Sequence, residues 1–120
     1  MFHQTYEAAR AEFREASARL GGAMESLAVC EGQDGATDGT PLTIDVAVFG
    51  ADATRTLLVT SGVHGIEGYA GSACQLQLLN DGLPDDVRVV MVHAVNPYGM
   101  ARIRRVNERN VDLNRNFLGS

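Results

Sequence analysis

The sequence predicts an α/β fold with a mixed sheet: early strands pairing antiparallel, then a parallel βαβ unit, in a single domain spanning 1–120. Three observations predict it. Apolar residues recur at helical spacing near the start, from Phe2 to Leu20. Alternating and then continuous apolar runs follow at 42–48 and 56–61. Finally, a helical stretch at 69–80 leads into a buried-looking run at 87–95, the strand–helix–strand order of a parallel crossover.

The first element is an amphipathic helix. Phe2, Tyr6, Ala9, Phe13, Ala16 and Leu20 are spaced by three and four, which sets them on one face. Gly21-Gly22 stops it, because glycine enters the left-handed conformation that ends helices. His3 falls on this helix and is expected to be solvated.

Glu25 to Cys30 is a short strand, and Gly32 to Pro41, rich in Gly, Asp and Thr, is a hairpin loop. Leu42, Ile44, Val46 and Val48 alternate with Thr43, Asp45 and Ala47, so the apolar set should form the buried face. Gly50 to Thr54 turns the chain into a second strand, 56–61, expected to pair with the previous one through this short loop. Tyr69, Ala73, Leu76 and Leu79 share a helical face closed by Asp81-Gly82. The run Val87 to Val95 is too apolar for an edge strand and is expected to be covered on both faces. The sheet should hold about five strands.

Composition narrows the function classes. Apolar residues make up 45%, enough for a core, and the net charge of −5 argues against a nucleic-acid surface, which rests on clustered cations. All 10 basic residues are arginine, and Arg102, Arg104, Arg105 and Arg109 crowd one segment, which suits a small anionic ligand. No apolar run approaches the ~20 residues of a membrane span, and no signal peptide is evident, so a cytoplasmic location without membrane association is expected. Cys30 and Cys74 lack a CxxC spacing and read as buried free thiols.

Two motifs carry chemistry. In Ser61-Gly62-Val63-His64-Gly65-Ile66-Glu67-Gly68, an imidazole and a carboxylate stand three residues apart just beyond a strand, at the sheet edge where α/β proteins gather ligands. Both groups bind zinc well, so His64 and Glu67 are candidate metal ligands, two of the three that a catalytic zinc needs. HxxE alone arises by chance; a second block gives it weight. Asn96-Pro97-Tyr98-Gly99 ends the buried strand and leads to Asp112-Leu113-Asn114-Arg115. Asp112 is a candidate to accept the other ring N–H of His64. Arg115 and Asn114 can grip a substrate carboxylate, and Arg104 or Arg105 can stabilise an oxyanion. His93 shares parity with Val89 and Met91 and reads as a core histidine rather than a ligand.

These paired motifs, with SGVHGIEGYAGSACQLQLL at their centre, resemble the zinc carboxypeptidase superfamily, which includes the succinylglutamate desuccinylase and aspartoacylase group. The resemblance is greatest to a poorly characterised bacterial branch labelled a domain of unknown function, and it covers roughly 40–118. It implies the mixed-sheet, phosphorylase/hydrolase-like zinc-peptidase fold. It implies Zn2+ on His64 and Glu67, Asp112 supporting the histidine, Asn114 and Arg115 on the substrate carboxylate, and Arg105 or Arg104 at the oxyanion, with Arg105 preferred from its place two residues before Asn107. It also implies a third zinc ligand and a general base beyond Ser120, so this chain is expected to be the truncated N-terminal portion of the domain and inactive alone. The function expected of the full-length protein is a metallohydrolase that cleaves an amide bond next to a carboxylate in a small peptide. The alternatives are an N-acyl amino acid deacylase and a non-catalytic binding domain that kept the fold.

Overall fold

A computed structural model describes residues 2–29 and 38–117 of the chain. Its order is α1 (Tyr6–Arg19), β1 (Ala23–Ala28), β2 (Thr43–Phe49), β3 (Thr56–Thr60), α2 (Gly68–Asp81), β4 (Arg88–His93) and α3 (Pro97–Ala101). A single 3-10 turn, Gly65–Glu67, precedes α2.

α1 begins at Thr5, whose hydroxyl accepts from the amide of Ala8, and ends before Gly21 at φ +73°. Tyr6, Ala9, Phe13 and Ala16 are buried as the periodicity requires, whereas Phe2 and Leu20 lie outside the helix and are exposed. His3 also precedes the helix; it pairs with Glu12 and is only 19% exposed, not solvated. Cys74 is an exposed free thiol on α2 rather than a buried one, and Cys30 lies outside the described residues, as does most of the expected 32–41 loop.

The fold is α/β with a mixed sheet, four strands among the described residues rather than five, in the order β1-β2-β4-β3. β1 pairs antiparallel with β2, and β3 pairs parallel with β4 across the α2 crossover. The expected pairing of β2 with β3 does not occur. β4 lies between them, antiparallel to β2 and parallel to β3. The most apolar strand takes the central place, where both of its backbone edges are paired.

The faces of β2 are the reverse of the expectation. Thr43, Asp45, Ala47 and Phe49 are buried, and Ile44, Val46 and Val48 are half-buried. Asp45 goes inside because partners wait there: Arg10 Nε at 2.8 Å, Arg14 Nη1 at 3.3 Å, Ser26 Oγ at 2.6 Å and Thr43 Oγ1 at 3.0 Å. A buried charge tolerates its site only when paired in this way. The small Ala47 leaves room for Phe13 in the main core, which joins α1 and α2 to the same face through Phe49, Leu76, Leu79, Val89 and Met91. β4 is therefore covered by helices on one face, with Val90 and Val92 half-buried on the other. Among the described residues no helix is long and apolar enough to cross a membrane.

Candidate metal half-site and arginine loop

β3 ends at Thr60, but its pairing with the β4 segment continues: Ser61 N donates to Val92 O, and the carbonyls of Ser61 and Gly62 accept from Val95 and Asn96. The chain then breaks away at Gly62, φ +68°, where an added Cβ would lie 2.8 Å from the Ala94 methyl. That bend delivers His64 to the N-cap of the 3-10 turn, with Glu67 at its last residue. Side chains three apart eclipse on a 3-10 turn, so the HxxE spacing sets both groups on one side. His64 Nδ1 lies 3.4 Å from Glu67 Oε2.

The second motif is fastened onto this turn by backbone. Gly65 N donates to Arg105 O and Ile66 N to Arg104 O. Gly65 lies so close to α3 that an added Cβ would be 2.0 Å from the carbonyl carbon of Gly99. Asn96, 1% exposed, organises the loop from beneath: its side-chain oxygen accepts from Gly99 N at 2.8 Å and its Nδ2 donates to Arg105 O at 3.2 Å. Asn96 thus does more than end a strand, the role its place before Pro97 predicts. The signal for more was present, because Asn followed by Pro is a helix start with a capping side chain and a proline at the first helical position.

Asp112 is the hub. Its Oδ1 accepts from His64 Nε2 at 2.9 Å and from Asn114 N at 3.0 Å, and its Oδ2 accepts from Arg105 Nε at 2.9 Å. Arg115 Nη1 stands 3.8 Å from Oδ2. The hydrogen bond from Arg105, with those from His64 and Asn114, holds the Asp112 carboxyl well below the usual carboxylate range. A charged acceptor at Nε2 keeps the neutral ring in the Nε2–H tautomer, leaving the Nδ1 lone pair facing Glu67.

The structure thus brings His64, Glu67, Asp112, Arg105 and Arg115 together, with Asn114 joining through its backbone. Arg104 is directed elsewhere: its guanidinium donates to Asn110 at 3.4 Å. His93 is fully buried, bonded through Nε2 to Ser72 Oγ at 2.9 Å and stacked on Phe13, as a core histidine should be.

The family described as a protein of unknown function, DUF2817, matches residues 2–120. The chain belongs to the DUF2817 family. No curated protein matches it. Among the described residues of this DUF2817 chain, no three His, Cys, Asp or Glu side chains converge as a complete metal cluster. The pair His64–Glu67 nevertheless fits two positions of one. Ligands ~2.1 Å from a tetrahedral zinc stand about 3.4 Å apart, and Nδ1 and Oε2 have that separation.

Proposed function

We propose that the DUF2817 domain to which this chain belongs is a zinc-dependent hydrolase of the carboxypeptidase type, cleaving an amide bond beside a substrate carboxylate. The observation that carries the reading is the 3.4 Å approach of His64 Nδ1 to Glu67 Oε2, with Asp112 behind the imidazole. Two ligand atoms at that separation are what two adjacent positions around a tetrahedral divalent cation require.

His64 and Glu67 would hold the metal, and a third ligand and a general base would complete the site. When bound, zinc supplies Lewis acidity, polarising a carbonyl and acidifying water. Asp112 keeps the His64 ring oriented. Arg105 anchors its Nε on Asp112 while its side chain remains 50% exposed, which suits it to meet a developing oxyanion. Arg104 is turned toward Asn110, so Arg105 is the better candidate of the two. Arg115, 64% exposed beside Asp112, has the planar fork that grips a carboxylate, with Asn114 next to it. A peptide and an N-acyl amino acid both present such a carboxylate near the scissile amide. Assays of the full-length protein on both classes separate the two.

The test is metal content. Full-length protein should bind about one zinc per chain, and His64→Ala should lose most of it. Unchanged zinc in that variant would overturn the assignment.

A further inference from the structure

The 3-10 turn sets His64 and Glu67 on a shared side, but Glu67 also immediately precedes α2, so how closely it approaches His64 answers to the seating of that helix on the ends of β3 and β4. The seat is polar. Ser61 Oγ donates to Gln75 Oε1 at 2.9 Å, while Gln75 Nε2 donates to Val59 O at 3.2 Å and Val92 O at 3.0 Å. One turn nearer the site, Ser72 Oγ meets His93 Nε2 at 2.9 Å. All four side chains are nearly sealed from solvent: Ser61 4%, Ser72 1%, Gln75 1% and His93 0% exposed. Apolar packing would seat a helix at lower cost but without directional preference, whereas buried hydrogen bonds work only in one register. The approach is close enough that a Cβ at Gly71 would lie 2.7 Å from Ser61 Cβ, so the helix has little room to slide.

We propose that Ser61, Gln75, Ser72 and His93 form a buried polar latch that sets α2, and with it Glu67, at metal-binding distance from His64. These are positioning residues; none touches the cation. The inference rests on the zinc reading above. Ser61 comes three residues before His64, and Ser72 five after Glu67, so the latch grips both flanks of the half-site. The bonds of Gln75 reach both strands, so helix, β3 and β4 share a single reference point.

The test compares Zn2+ affinity, by competition with a chromophoric chelator, in full-length wild type, Ser72→Ala, Gln75→Leu and Leu79→Ala. Leu79 is a buried core residue of the same helix outside the latch. Denaturant unfolding ranks the stability of each. The latch variants should lose zinc affinity by about tenfold, the scale found when groups supporting a ligand are removed. Leu79→Ala should keep wild-type affinity despite lower stability. In the Co2+-loaded proteins only the latch variants should show shifted visible bands. Latch variants within twofold of wild type, or an equal loss in Leu79→Ala, would overturn the latch and leave the zinc site standing. Wild type that binds no zinc would overturn both. Should Gln75→Leu fail to fold, Ser72→Ala decides alone.

Discussion

Asp112 Oδ1 and His64 Nε2 lie 2.9 Å apart although 48 residues separate them in sequence. That contact joins the HxxE turn to the arginine loop, and it makes one carboxylate responsible for the orientation of an imidazole and of the Arg105 guanidinium together.

Asp112→Asn should lower zinc affinity by about 10–100-fold. The amide keeps the size of the side chain but loses the charge that holds the Nε2–H tautomer. Chelator competition measures it; wild-type affinity in the variant would detach Asp112 from the site.

Gly65→Ala should destabilise the fold by at least about 2 kcal/mol, because the new methyl meets backbone that cannot swing aside. Its Cβ would fall 2.0 Å from Gly99 C and 2.3 Å from Met100 N. Urea unfolding of the variant gives the number, and a loss of zinc affinity should accompany it as the arginine loop is displaced.

Stability should fall as the solution is acidified through the His93 range. Burial lowers the His93 pKa from 6.5 to about 4; Asp45 on β2 opposes this and Arg10 on α1 adds to it. Between those two values the unfolded chain binds a proton that the folded chain refuses. The contribution is therefore complete above 6.5 and is lost progressively toward 4. The full loss is roughly 3 kcal/mol. His93→Gln should flatten that part of the pH–stability profile, as read by denaturant midpoints; an unchanged slope would assign it to other groups.

Asp45→Ala should cost about 3–5 kcal/mol, since it strands a largely buried cation. Arg10 is 18% exposed and loses both of its bonds to the carboxylate. Arg10→Ala should cost less, because Arg14, Ser26 and Thr43 still hold Asp45. Paired unfolding curves show the order; the reverse order would mean that Asp45 depends on Arg10 more than on Arg14, Ser26 and Thr43 together.

Arg115→Ala in the full-length protein should raise KM for carboxylate-bearing substrates by about tenfold with kcat nearly kept, as expected for losing a charged hydrogen bond made before and during the reaction. An unaltered KM would take Arg115 out of substrate recognition.

The sequence by itself determined what near neighbours decide. The spacing from Tyr6 to Ala16 specified α1, Gly21 its end, and the placement of His64 and Glu67 on a glycine-marked bend their shared side. Periodicity and backbone freedom act over a few residues, so they are legible one segment at a time. Tertiary structure alone decided which face of β2 is buried, because the charge on Asp45 is accepted only where Arg10 and Arg14 arrive from another element. It also decided that β4 separates β2 from β3, that Asn96 holds Arg105 O, and that Gln75 and Ser72 bond α2 to the strand ends. Each of those outcomes depends on which distant group satisfies a buried edge, charge or polar atom, and a local pattern of residues does not name that partner.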